Sequence, residues 1–422
     1  MTIRTITKKP LLTALLAGIA LAGAATASFA QTAPSWAKSL TPGTWTAIGS
    51  NKLMNVDPED DAAANPNYPS GAPWRGSTGQ ASVIQSWNGG VLARNYGPSG
   101  SLILYGGGHS NYYGSEVYAF DLATATWKRL TNPFRGPLNW PYATGDYPDG
   151  SALPPHTCDF VEYDPLSNSM VLLKGQNELG PPSNNTAISV VHAFDFDTKT
   201  WRRSQMQSGL TIYSGGYSAY DSKRQVFWAE GGASSNGFVK FDPKPQNSDG
   251  TFGSWTTYPK IVTRTNAVAT YDPAHDLILV AGFREGPEVF AIDPNNVSGG
   301  RTALKEVGAA PTKEQASGWE WSTLRGSIIY WRRGAGVYEL KLQGTDWKAG
   351  SWEWSNLTVG ANSVTPQEME VDNGPFSRFR LINYGDGTEV AVVVNRPDGP
   401  VYAFRMPDVG QRPKAPTNVT AE

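Results

Sequence analysis

The stretch SLILYGGGHSNYYGSEVYAFDLATATWKRL, residues 101–130, decides the fold. It holds three short alternating apolar runs separated by a Gly-rich segment and an Asp-containing turn, which is the pattern of antiparallel strands. The run before it, SWNGGVLARNYGP, supplies one more strand. One unit is therefore a four-stranded meander, with strands A to D in chain order.

The unit returns at intervals of about 40 to 55 positions, the period of propeller blades. The second copy carries FVEYDPLSNSMVLLKG and VVHAFDFDTKTWRRS, and the third GGYSAYDSKRQVFWAEGG, GFVKFDP and GSWTTY. The fourth carries NAVATYDPAHDLILVAG and EVFAIDP, and the fifth WEWSTLRGSIIYWRRG, GVYELKL and GSWEWSNL. The sixth, FRLINYGDGTEVAVVV and PVYAFRM, lacks strand D. PGTWTAIGS near the N-terminus places Trp45 where Trp127, Trp201, Trp255 and Trp352 sit in their copies. The strand Thr44 to Gly49 is thus expected to pair with Val401 to Phe404, closing the ring and removing a free sheet edge.

The plain glycine runs after strand B, Gly106 to Gly108 and Gly231 to Gly232, and the later aromatic residues resemble the kelch-type propellers. That group includes the central domain of galactose oxidase. The resemblance implies an all-β propeller of six four-stranded blades, with seven as the alternative because the other copies have drifted.

Arg4, Lys8 and Lys9 precede an apolar run from Leu11 to Ala24 that ends in small residues, the pattern of a secretory signal peptide cleaved after Ala30. The expected organisation is a signal peptide over 1–30, a propeller over 38–408 and a linker or tail over 409–422. The tail QRPKAPTNVTAE also reads as the start of a fibronectin-like module, and Asn51 to Ser82 reads as a loop crossing one face. A secreted or periplasmic protein is expected, with no later run near the roughly 20 apolar residues of a membrane helix.

A net charge of −2 points to no nucleic-acid or membrane partner. A monomer is expected. The single cysteine, Cys158, rules out an intramolecular disulfide and a cysteine-rich metal site, and reads as a buried strand residue.

In a meander the D–A and B–C loops share one face. Eight residues before the A–B turn residues Asp164, Asp221 and Asp272 stand His156, Tyr213 and Arg264, expected around the channel mouth. Just past strand B stand His109, Arg284, Arg333 and Arg396. His192 falls in a strand C and His275 in an A–B turn, away from that face. Each residue also has a plain reading: His109 and His156 as turn-fixing residues, Tyr213 as a packed loop aromatic, the arginines as surface charges. The strand tryptophans read as packing between blades, because they repeat with the fold.

Imidazoles, a phenol and guanidinium groups around one mouth suit an anionic substrate, since arginine clamps a carboxylate through two parallel hydrogen bonds. The set resembles that of the propeller-type polysaccharide lyases such as the ulvan lyases. The resemblance implies β-elimination on an acidic, uronic-acid-containing polysaccharide, with His109, His156 and Tyr213 moving protons and Arg264, Arg284, Arg333 and Arg396 binding carboxylates. No cofactor is expected, and a structural calcium in the channel is left open. Galactose-oxidase chemistry needs a copper ligand set that cannot be singled out here. Glycosidases need a facing carboxylate pair, and the repeating acids here belong to turns, while Glu116 and Glu178 have no recognisable partner. There is no GxSxG, HExxH or phosphate-binding loop. The rival reading is a non-catalytic propeller that binds a glycan or a protein, since a propeller by itself implies no activity.

Overall fold

The computed structural model describes residues 31–58, 76–108, 111–134, 144–176, 187–262, 264–359, 364–367 and 373–409. They form a β-propeller of six four-stranded blades arranged in a ring. Blade 1 consists of strands Val91–Ala93, Ser101–Leu104, Tyr118–Asp121 and Thr126–Arg129, and blade 2 of Val161–Asp164, Ser169–Leu172, His192–Asp195 and Thr200–Arg203. Blade 3 is Tyr217–Asp221, Val226–Glu230, Phe238–Gln246 and Phe252–Tyr258; blade 4 is Val268–Asp272, Leu277–Ala281, Phe290–Ile292 and Arg301–Ala303. Blade 5 is Gly318–Ser322, Ser327–Trp331, Tyr338–Gln343 and Ser351–Asn356. Blade 6 takes Arg380–Asn383, Glu389–Val393 and Val401–Arg405 from the C-terminal end and Trp45–Ile48 from the N-terminal end.

Strand A is innermost. Each strand A touches the strand A of the next blade, and that of blade 6 touches that of blade 1, so the ring closes. The closing pair is antiparallel, Trp45 opposite Phe404 through Ile48 opposite Val401. The helix Ser35–Ser39 extends the closure: the Trp36 indole donates to the Leu122 carbonyl of blade 1, and Arg405 of blade 6 donates to the carbonyls of Lys38 and Leu40.

The repeated aromatics have one structural job. Tryptophans on strand D lie opposite phenylalanines on strand C in four blades, as Trp45 with Phe404, Trp127 with Phe120, Trp201 with Phe194 and Trp255 with Phe241. Their ring centroids are 5.0–5.3 Å apart and the rings are tilted, a favourable aromatic geometry. In blade 5 the equivalent residue is Trp354, opposite Leu340, and not Trp352. The strand reads WEWS, and strand alternation places both indoles on one face, so spacing alone could not choose between them. Blade 5 also gains an unexpected outer strand, Glu306–Gly308, paired parallel to Ser351–Asn356, which covers its edge. Asn51 to Ser82, read as loop, carries short helical turns at Leu53–Val56 and Gly79–Ala81; residues 59–75 between them lie outside the described residues.

Candidate functional site

At one end of the channel every blade enters its strand A through a residue with a left-handed backbone. These are Trp87 (φ 51°), Cys158 (46°), Gly215 (79°), Asn266 (56°), Ala316 (54°) and Phe376 (48°). Five are not glycine, and such a conformation costs an L-residue on the order of 1–2 kcal/mol. Hydrogen bonds from one blade to the next hold it. Cys158 N–H donates to the Trp87 carbonyl (2.7 Å), Ala316 to Asn266 (2.9 Å) and Phe376 to Ala316 (2.9 Å), while Gly215 N–H donates to the Cys158 sulfur (3.2 Å). The result is a collar of strained backbone around the mouth.

Four collar residues, Trp87, Cys158, Gly215 and Asn266, line a cavity of about 390 Å³ together with His156, Tyr213 and Arg284. Ser214, Ala233, Ser234 and Thr265 complete its wall. Residues from D–A loops and from B–C loops thus share this face. The walls come from blades 1 to 4, so no short stretch of chain contains the site.

His156 is buried, and its Nδ1 lies 2.7 Å from the Ser86 carbonyl oxygen. A carbonyl only accepts, so Nδ1 carries the hydrogen and Nε2 is the basic nitrogen of the neutral ring. The Trp87 ring meets the imidazole edge to face at 5.1 Å. The loop carrying His156 lies on the glycine run of blade 1: Gly107 and Gly108 N–H donate to the carbonyls of Pro155 and Pro154. Gly108 has φ +75°, and a Cβ there would stand 2.0 Å from the imidazole, so only glycine fits.

Tyr213 is half-buried, its N–H held by the Ser235 hydroxyl at 2.9 Å. Lys260 steadies the wall behind it, its ammonium donating to the carbonyls of Gly232, Ala233 and Ser235 at 2.7–3.0 Å. Arg284 is exposed, and its Nε donates to the Gln315 amide oxygen at 3.3 Å; Asn266 donates to the same oxygen at 2.9 Å. Gln315 therefore links Arg284 to the collar.

The other arginines are placed differently. Arg264 does not line the cavity; it lies 3.0 Å from Glu288, which it shares with Arg301 at 3.3 Å, and it packs over the Phe283 ring at 5.3 Å. Arg333 pairs with Glu314 (2.8 Å) and Arg396 with Asp398 (2.9 Å), both away from the cavity lining. His109 and Glu178 lie outside the described residues. His192 and His275 are away from the cavity, beside Asp146 (3.6 Å) and Asp272 (2.6 Å) respectively. Glu116, which seemed partnerless in the sequence, accepts hydrogen bonds from the hydroxyls of Tyr112 (2.5 Å) and Tyr118 (2.7 Å).

Trp87, Asn266, Gln315 and Lys260 carry no signal in the sequence. The collar has one residue of each of six types, and only the position six residues before the end of strand A in blades 1 to 5, seven in blade 6, unites them. Among the described residues no group of three His, Cys, Asp or Glu side chains is arranged to hold a metal ion, and no helix is long and apolar enough to cross a membrane. No protein-family model matches the chain, and no curated protein matches it.

Proposed function

We propose that the chain is a kelch-type propeller that is exported and cleaves an acidic, uronic-acid-containing polysaccharide by β-elimination. The observation that carries this reading is the cavity shared by His156, Tyr213 and Arg284. A base, a phenol and a cation on one concave surface are the three groups that elimination from a uronate requires.

Arg284 would clamp the uronate carboxylate. Neutralising that charge acidifies the proton on the adjacent ring carbon, and Nε2 of His156 would take it. The electron pair left behind forms a carbon–carbon double bond as the bond to the neighbouring sugar's oxygen breaks, and the Tyr213 hydroxyl would protonate that oxygen. Arg264, held by Glu288 outside the cavity lining, has less charge to offer a substrate. The half-buried Trp87 in the cavity wall also supports the rival reading, a glycan-binding face with no chemistry, because indole rings stack on sugars.

Incubation of the full chain with a panel of polyuronates, followed by ultraviolet absorbance of the new double bond, tests the reading. His156→Ala should lower turnover by about 10²–10⁴-fold in a chain that still melts in one cooperative transition. Arg284→Ala should raise KM and lower kcat, and Arg264→Ala should do less of both. Saturable binding of a polyuronate without any new absorbance would establish the binding face and remove the lyase.

A further inference from the structure

The opposite end of the channel carries a second concavity, of about 260 Å³, on the face of the A–B turns. Its walls come from the inner strands of all six blades. The rim is Pro165, Ser222, Pro273 and Thr323, one residue past each A–B turn, and below it the rings of Tyr163, Tyr220, Tyr271 and Trp321 stand at one register position in four successive blades.

Arg380 forms the floor. Its guanidinium spans the channel, donating to the Gly90 carbonyl of blade 1 (2.9 and 3.0 Å), to the Val161 carbonyl of blade 2 (2.9 Å) and to the Glu320 carboxylate of blade 5. Every Arg380 nitrogen is thereby engaged.

Two ionisable side chains on this concavity form no close ion pair among the described residues. Arg94 is exposed to solvent, donates to the Leu381 carbonyl at 3.3 Å, and forms no ion pair among the described residues. Glu162 is buried, lies 2.9 Å from the Ser218 hydroxyl, and likewise forms no ion pair among the described residues. The two do not pair with each other. The Ser218 hydroxyl faces both the Glu162 carboxyl and the Asp159 carbonyl, the latter at 2.5 Å, so it is shared between two acceptors. Burial pushes the Glu162 carboxyl up to about 7, with Arg380 offsetting only part of that effect. Arg380, the cation that acts on it, is itself paired with Glu320.

We infer that this mouth binds a small zwitterion of the α-amino-acid class, its carboxylate on Arg94 and its ammonium on Glu162 among the aromatic rings. One ligand of that chemistry gives each of these two side chains a close, oppositely charged partner at once. Aromatic faces add to the attraction for the ammonium, and the volume admits a free amino acid. The inference is independent of the lyase reading, because no residue lines both concavities.

Titration calorimetry of the full chain with L-alanine, and with acetate and ethylammonium as half-ligands bearing one charge each, tests the site. L-Alanine should bind at one site per chain, with each half-ligand at least about tenfold weaker. Arg94→Gln, at a solvent-exposed position, and Glu162→Gln should each weaken L-alanine by about tenfold or more while leaving the melting profile cooperative. Absence of binding by L-alanine, equal binding by ethylammonium, or binding that neither variant weakens would each overturn the inference.

Discussion

Glu116 shows how far burial by itself sets the behaviour of a residue. It is shut away from water, and burial raises its carboxyl to about 7 from an ordinary 4.5, against the opposing effect of the two tyrosine hydroxyls. Burial raises Glu389 to about 7 in the same way, despite hydrogen bonds from Ser322 and the nearby Arg325. A carboxyl raised in the folded state holds a proton that the unfolded chain has already lost. The stabilisation is complete below the unfolded value near 4.5 and disappears as pH rises through 7. Melting temperature should therefore fall between pH 5 and pH 8. Glu116→Gln keeps the acceptor for both tyrosines and removes the titration, so it should flatten this fall by on the order of 3 kcal/mol between those limits. Thermal melts of both proteins at pH 5 and pH 8 measure the difference; equal slopes would show that Glu116 ionises normally.

The turn is the unit that repeats most faithfully at the scale of elements. The aspartate that ends a strand folds its carboxylate over the backbone N–H groups two and three residues on, as Asp121, Asp195, Asp221 and Asp272 do. Four residues after the strand-ending residue the backbone becomes left-handed, at Ala125, Lys199, Gln225 and Asp276, at Asn168 in the A–B turn of blade 2, and at Gly326 in blade 5. Each is a four-residue loop whose last residue is left-handed, and that length sets the hairpin register. Asp221 carries more than its own turn. Its buried carboxylate also accepts from Arg224 Nη1 at 2.7 Å and from the Trp228 indole at 3.1 Å, and Arg224 reaches on to Asp276 of blade 4. Asp221→Ala would leave the indole donor buried without a partner and loosen that contact between blades. Urea unfolding should show a loss of about 2–3 kcal/mol. The equivalent Asp121, which braces a C–D turn and pairs with the exposed Lys128, should cost less when replaced.

Ring closure is a property of the whole molecule. Strand D of blade 6 comes from the other end of the chain, and the helix before it anchors to blades 1 and 6. Trp45 is buried against Phe404 and against Trp331 of blade 5, and its indole donates to the Ala335 carbonyl at 3.0 Å. A chain lacking residues 31–48 would expose the Val401–Arg405 edge and a groove shaped for an indole. It should aggregate in size-exclusion chromatography and lose a single cooperative urea transition. A monomeric truncation with the full-length urea midpoint would show that closure adds nothing to stability.

Much of this architecture is determined by local sequence. Alternating apolar runs, Asp-headed turns and tryptophans at a fixed distance are short-range features, so the blades and the N-terminal partner of Val401–Phe404 can be read directly, while the choice of six blades over seven is made by the assembled ring. So can the face on which His156, Tyr213 and Arg284 stand, because loop direction follows from strand alternation. What each loop residue does there is settled only in three dimensions. Arg264 occupies the position in its blade that His156 and Tyr213 occupy in theirs, yet Glu288, 24 residues along the chain, draws it away from the cavity. Trp354 rather than Trp352 meets strand C because the register of blade 5 selects it. The collar has no sequence signature at all. A left-handed backbone at Trp87, Cys158, Asn266, Ala316 and Phe376 opposes the intrinsic preference of each residue, and only hydrogen bonds from neighbouring blades, formed once the ring is assembled, outweigh that preference.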